Sequence, residues 1–280
     1  MRIAHVLIAV GGLVSIGAGA PAPVPQRIVS LNMCADQLLV ALADPGQIAG
    51  LTEWARDPEL SAVAAQARSL PFTRHSAEEV MALHPDLVIG APFRIKAILS
   101  PAKGRGIRMV EFPQTEQVGE IEAAIRIIAD AVGHPQRGAR LIAQMRRDLA
   151  AIGPPPGRGR VAAYYQRQGY LTGTGTLVDD MMRRVGLVNL AGRLGRPALS
   201  RLSLEELVLA KPAFVIMDSG TGVAADRGSA ALHHPLLNAA IPAGRRLHIP
   251  EALIVCGGPA YPRAVALLAR QVRAADQLAR

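Results

Sequence analysis

The stretch SAEEVMALHPDLVI, residues 76–89, returns as SLEELVLAKPAFVI at residues 203–216, an offset of 127 held over 14 positions without a gap. Each copy opens on a serine, Ser76 or Ser203, followed three residues later by Glu79 or Glu206. That spacing is a capping box. The hydroxyl takes a free amide of the first helical turn, and the carboxylate reaches back to the amide of the cap. A short amphipathic helix follows, Pro85 or Pro212 stops it, and an apolar run then reads as a strand buried on both faces. Helix, stop and buried strand written twice indicate two α/β lobes of similar plan.

The same alternation continues on either side of both copies. Residues 27–31 (RIVSL) read as the first strand, and residues 33–43 as a helix with Leu38, Leu39 and Leu42 on one face, closed by Pro45 and Gly46. Further short strands are expected at 48–51, 87–90 and 108–112, with helices between them, which indicates a parallel sheet covered on both faces. Val118, Ile121, Ile125, Ile128 and Ala129 fall at helical spacing over residues 116–132, and Gly133 and Pro135 break that helix. The next helix, ending near Ile152, spans about 27 Å at 1.5 Å per residue and would make a stiff joint. A second lobe runs from residues 160–164 through the second copy to 246–249 and a closing helix at 261–278. The resulting fold class is α/β, with two Rossmann-like lobes joined by a single long helix and a ligand cleft between them. The expected boundaries are 26–133 for the N-terminal lobe, 134–153 for the linking helix and 158–280 for the C-terminal lobe.

Residues 1–20 have a basic start at Arg2, an apolar stretch from Val6 to Ile16, and Ala18-Gly19-Ala20 before Pro21. This pattern is that of a cleavable secretory signal peptide, too short and Gly-rich for a comfortable membrane span. Export would place the chain where thiols can oxidise. The 280 residues are 50% hydrophobic and 19% charged, which excludes a disordered chain. The formal charge is +9, and three lysines leave 28 of the 31 bases as arginine. These arginines are scattered and form no run, so the sequence carries no nucleic-acid footprint. Two cysteines are too few for a disulfide scaffold or a four-thiolate zinc site.

In two-lobed α/β proteins ligands sit beyond the carboxyl ends of the strands. In the first lobe this selects Asn32, Met33 and Cys34, then Glu53 and Trp54, then Phe72, Arg74 and His75, and finally Phe93 and Arg94. In the second it selects the segment Tyr164, Tyr165, Gln166 and Tyr170, then Asp218 and Ser219, and Cys256. Five or six of the nine aromatic residues fall at these positions. Of the tandem pair, alternation sends one ring away from the core, and Tyr165 is the one assigned to the cleft. Arg74 and Arg94 suit carboxylates or catecholates of a chelate. Cys34 and Cys256 leave three readings open: a disulfide across the cleft, two thiolate ligands for a soft metal, or small buried residues with no joint role. The seven histidines do not cluster at metal-ligand spacing, so no bare-metal site is assigned.

Catalytic signatures are missing from the sequence. It contains no G-x-S-x-G elbow, no P-loop, no H-E-x-x-H and no C-x-x-C. The Thr/Gly run at residues 172–176 reads as a loop that offers backbone amides or opens a helix at Leu177. No catalytic residue and no cofactor are therefore assigned, and the chain is not expected to be an enzyme. The alternative reading is an exported thiol-dependent metal-binding or redox protein using Cys34 and Cys256.

Over residues 26–278 the ordered set resembles the class III (helix-backbone) substrate-binding proteins of ABC importers, of the vitamin B12 and ferric-siderophore type. The matching parts are RIVSLN at 27–32 leading into a helix, both copies of the repeat, the joining helix, and the tail with LHHP at 232–235 and CGGP at 256–259. The resemblance implies a monomeric periplasmic protein that captures a metal chelate, ferric siderophore or corrinoid. It also implies delivery to an ABC permease dimer with cytoplasmic ATPase subunits. It assigns Glu78 and Glu205 to docking, one carboxylate per lobe facing arginines of the permease. Capping leaves these two free to point outward, because Glu79 and Glu206 are the ones in the boxes. The chain departs from vitamin B12 binders in having few rings, with Ala91 and Leu253 or Ile254 where bulky aromatics are expected.

Overall fold

The computed structural model describes residues 23–99, 106–218 and 230–278; the signal peptide expected at 1–20 and the cleft candidate Ser219 lie outside them. The first lobe contains β1 (Ile28–Ser30), α1 (Met33–Leu42), β2 (Ile48–Thr52), α2 (Ala64–Ala67), β3 (Phe72–Thr73), α3 (Ala77–Ala82), β4 (Leu87–Gly90), α4 (Pro92–Leu99) and β5 (Arg108–Glu111). Its sheet has the order β3-β2-β1-β4-β5, with every pair parallel. Two helices follow, α5 (Val118–Ala131) and α6 (Pro135–Ala150). The second lobe contains β6 (Val161–Tyr165), β7 (Tyr170–Thr172), α7 (Leu177–Arg184), β8 (Val188–Asn189), α8 (Leu190–Arg193) and β9 (Leu199–Arg201). It continues with α9 (Leu204–Ala210), β10 (Phe214–Asp218), α10 (Pro235–Ala240), β11 (Arg246–Ile249) and α11 (Tyr261–Leu278).

The repeat is structural as well as sequential. At the same offset of 127, α3 matches α9, β4 matches β10, and the edge strand β3 matches β9. Ser76 Oγ accepts from Glu79 N at 3.1 Å, and Ser203 Oγ from Glu206 N at 3.1 Å. Glu206 completes its box on Ser203 N at 2.9 Å. Glu79 instead turns to Thr73 Oγ1 at 2.9 Å and Arg74 N at 2.8 Å, tying β3 to the helix. Both helices end in a left-handed residue before the proline, His84 at φ 44° and Lys211 at φ 46°. Proline Cδ disfavours helical backbone in the preceding residue, so both copies stop at the same place.

The second sheet is not wholly parallel. Its order is β11-β10-β6-β7-β9, with β8 also pairing β6, and β7 runs antiparallel to both β6 and β9. A tight turn through Gln168 (φ 58°) and Gly169 (φ 74°) makes β6 and β7 a hairpin inserted into the plan of the first lobe.

Alternation along the strands sorts the cores. Ile28, Leu87 and Ile89 of the first lobe join Ala162, Tyr164, Phe214 and Ile216 of the second in one cluster with α1, α5, α7 and α11. The intervening residues face outward. Val29 and Val88 meet Val80, Ile95 and Ile98, while Ala163, Tyr165, Val215 and Met217 meet Leu207 and Leu237. The largest core is thus shared by both lobes. Helix α5 presents Ile121, Ile125 and Ile128 to it, each fully buried and worth about 1.5–3 kcal/mol. The joining helix α6 is not a free rod, because it packs along α5 and against α11. Gly138 makes the first contact close, since a Cβ there would lie 2.5 Å from Ala129 Cβ. Arg146 Nε of α6 donates to Glu122 Oε1 of α5 at 2.7 Å. Among the described residues, no helix is long and apolar enough to cross a membrane.

Candidate ligand cleft

Strand order determines where the site lies. In the first sheet the chain leaves β1 toward β2 on one side and returns to β4 on the other, so the ends of β1 and β4 diverge into a crevice. A cavity of about 460 Å³ opens there. Leu31, Asn32 and Met33 line it after β1, Ala91, Phe93 and Arg94 after β4, and Trp54 and Leu60 after β2. Gly90 brings the two strand ends together, for a Cβ at that position would lie 2.9 Å from Leu31 Cβ. In the second lobe the equivalent crevice between β6 and β10 holds a cavity of about 240 Å³. Tyr164, Gln166, Arg167, Gln168 and Tyr170 line it beside Asp218, Leu232 and Glu251.

The two cavities flank a covalent tie. Cys34 follows Asn32 and Met33 in the first turn of α1, and Cys256 lies beyond Glu251; they form a disulfide with a Cα–Cα distance of 5.2 Å. This resolves the three readings of the pair. With both cysteines joined no thiolate remains to ligate a metal, so the first of the three readings, the disulfide, is the one observed. Two further contacts tie the lobes nearby. The Thr/Gly run opens α7 at Leu177, the second of its two readings, with Thr176 as the cap, and Glu116 Oε2 accepts from Leu177 N at 2.8 Å. Gly257 presses on residue 115 so closely that a Cβ would lie 2.1 Å from Thr115 O.

The sequence-assigned residues separate into three groups. Asn32, Met33, Trp54, Phe93 and Arg94 come together in the first cavity and Tyr170 in the second. Asn32 also caps α1, its Oδ1 accepting from Cys34 N at 2.8 Å and Ala35 N at 3.0 Å. Phe93 and Arg94 stand in the first turn of α4. Cys34 and Cys256 form the tie. Phe72 and Arg74 do not line either cavity: Phe72 lies under the Arg56 guanidinium, 4.2 Å from its ring centre, and Arg74 is exposed beside Glu79. Tyr165 is a correction. It is 1% exposed, packs in the outer core and donates from Oη to Leu202 O at 3.0 Å. Its parity along β6 sends it away from the gap, and Tyr164 is the ring that lines the cavity. Glu78 and Glu205 lie exposed in the first turns of α3 and α9.

Asp36 and Glu251 carried no readable signal, whereas His75 and Tyr164 were among the strand-end selections. His75, 7% exposed and left-handed at φ 67°, stacks on Trp54 with ring centres 5.7 Å apart. Burial, and then the Arg94 charge, lower its pKa, so the imidazole is neutral behind the tryptophan. Asp36 is fully buried in α1 and accepts from Thr52 Oγ1 and, at 3.2 Å, Thr52 N. Desolvation pushes its carboxyl up to about 6 against the hydrogen bonds of Ser30 and Thr52. Glu251 is also raised, first by burial, then by Asp218, and then by Asp57 and Glu59 from the opposite lobe. Burial and the charges of Asp218 and Glu251 raise Tyr164, keeping its hydroxyl protonated. Among the described residues no group of three or more His, Cys, Asp or Glu is placed to hold a metal ion.

Comparison with known proteins places this geometry. The cobalamin-binding protein of Halobacterium salinarum strain R1 is 25% identical over 208 residues, 72% of this chain and 55% of the relative. The chain therefore spans about half the length of the curated relatives it matches. The periplasmic heme-binding protein RhuT from Roseiflexus sp. RS-1, in apo form, superposes with a TM-score of 0.67 at 26% identity, covering 89% of this chain and 99% of that one. A possible iron-binding periplasmic solute-binding protein from Staphylococcus epidermidis shares the fold with a TM-score of 0.72 at 16% identity, covering 89% and 99%. The family pattern described as periplasmic binding protein matches residues 28–252, most of the chain. Two α/β lobes, a cleft at their strand ends and a match of this length show that the chain belongs to the periplasmic binding protein family.

Proposed function

We propose that this protein is the periplasmic solute-binding component of an ABC importer, capturing a metal chelate in the cleft and delivering it to the membrane permease. The observation that carries the reading is the pair of cavities, about 460 and 240 Å³, that open at the strand ends of the two lobes on either side of the Cys34–Cys256 tie. Their lining combines rings (Trp54, Phe93, Tyr164, Tyr170) with a few polar groups, which suits a bulky, partly apolar ligand. A cobalamin-binding and a heme-binding protein among the relatives support a tetrapyrrole-sized or siderophore-sized cargo. The ties across the cleft floor favour capture with little lobe movement, as binding to a pre-formed site requires. The chain acts by binding and release, without turnover. Residues 26–133 and 158–280 act as the two lobes and 134–153 as their link, and the leader at 1–20 is removed on export.

Glu78 and Glu205 serve as the docking carboxylates, one on each lobe at matched positions of the repeat. Glu78→Ala with Glu205→Ala is expected to abolish uptake by whole cells while leaving ligand affinity unchanged; uptake that survives the pair would remove the docking assignment. The test of the function itself is the protein purified from its own periplasm. A co-purified chelate at one equivalent, seen by absorbance and metal analysis and not consumed on incubation, is the expected result. Catalytic turnover of the bound compound would overturn it.

A further inference from the structure

We infer that the seam between the lobes holds a second binding site, separate from the chelate cleft, for a small carboxylate with an apolar body. A cavity of about 270 Å³ opens there. Helix α1 supplies Gln37, Val40 and Ala41, which stand at i, i+3 and i+4 and so share one face of the helix. The second lobe supplies Pro259, Ala260 and Arg263, around the start of α11. None of these residues lines either cleft cavity. Along the chain the disulfide separates the two sets in both lobes: Cys34 falls between Met33 and Gln37, and Cys256 between Glu251 and Pro259. An occupant of this cavity would touch both lobes beside the tie.

The donors in this cavity are not used by the fold. Gln37 is 1% exposed, and among the described residues its Nε2 has no hydrogen-bond partner. Buried side-chain amides are nearly always paired, and one that lines a cavity is set to donate to what enters it. Arg263 stands exposed at the rim, and among the described residues no carboxylate pairs with its guanidinium. The lining contains no Asp or Glu, so Arg263 supplies its formal charge and Gln66 adds a second amide. Val40, Ala41, Ala62 and Val63, all half-buried, make the walls apolar. A carboxylate suits this set, accepting from the Gln37 amide and pairing with Arg263 while an apolar body fills the space between the walls. Sulfate or phosphate would bring charge without that body.

Benzoate is the probe, with benzamide as its uncharged analogue. Titration calorimetry of the oxidised protein in carboxylate-free buffer should give benzoate a dissociation constant below about 1 mM, with benzamide about tenfold weaker. In nuclear magnetic resonance spectra of isotope-labelled protein, the side-chain amide signal missing from Gln37→Leu should be one that benzoate shifts. Gln37→Leu is close in size and removes the unpaired amide, so it should fold and bind benzoate about tenfold more weakly. Arg263→Gln, a change at an exposed position, should remove the advantage of benzoate over benzamide even if Gln37→Leu does not fold. A benzoate constant above about 1 mM, an unmoved Gln37 amide signal, or unchanged affinity in Arg263→Gln would overturn the inference. None of these results bears on the chelate cleft, whose residues the experiment leaves untouched.

Discussion

Replacing Cys34 and Cys256 together by alanine opens a crosslink between residues 222 apart in sequence. In the loop-entropy relation, tethering the ends of a chain of that length raises the free energy of the unfolded ensemble by about 5 kcal/mol. The folded state should change little. Cys256 is 3% exposed and Cys34 half-buried, and the lobes keep the Glu116–Leu177 bond, the Gly257–Thr115 contact and the shared apolar core. The loss therefore falls on stability rather than on shape. Because whole domains are stable by only about 5–15 kcal/mol, a change of this size is a large fraction of the total. Guanidinium unfolding followed by circular dichroism measures it, comparing the oxidised protein with the double alanine variant. A loss of about 3–5 kcal/mol is expected, with a steeper denaturant dependence because the untethered chain exposes more surface. Native spectra should superimpose. A loss below about 1 kcal/mol would refute the argument, by showing that the unfolded chain is not measurably freed when the tie is cut.

Two further changes test the reasoning at the cleft. Gly90→Ala would set a Cβ 2.9 Å from Leu31 Cβ, so β1 and β4 must part at the floor of the larger cavity; thermal melts should show a loss of about 1–3 kcal/mol, and chelate affinity should fall with it. Asp36, raised to about 6, holds its proton in the folded state over the window from about pH 4 to 6 where the unfolded chain has released it. Folding therefore binds protons there, and the contribution of Asp36 to stability falls by about 3 kcal/mol as pH rises through that window. Asp36→Asn should flatten most of this slope in unfolding measured from pH 4 to 6.5, and an unchanged slope would refute the assignment. Glu79, Glu122 and Glu206 have lowered values and act with the opposite sign, losing their contribution as pH falls below the usual carboxylate range.

Most elements could be read from local pattern. Ser76 and Ser203 cap helices, Pro85 and Pro212 follow their ends, and residues 118–131 and 261–278 form the expected helices. These features depend on residues within one or two turns of each other, so the sequence displays them directly. The hairpin at Gln168 and Gly169 escaped, because it interrupts the plan repeated from the first lobe. Strand ends pointed to Met33, Trp54, Phe93, Arg94 and Tyr170, since the rule needs only the positions of strands. Phe72 and Arg74 satisfied that rule and still fell outside the cavities: the Phe72 ring lies under Arg56, and Arg74 is exposed with its backbone N–H bonded to Glu79.

By itself, the sequence determined a duplicated α/β plan, the matched Glu78 and Glu205 positions, and the two crevices at strand ends. Tertiary structure alone decided what meets across the gap. It chose Tyr164 over Tyr165, two neighbours identical in composition that the pleat of one strand sends to opposite faces. It joined Cys34 to Cys256, and it set Cys34 Sγ 3.9 Å from Val255 O. Those contacts join segments about two hundred residues apart, and their distance is set by how two lobes share one core, which no local pattern encodes.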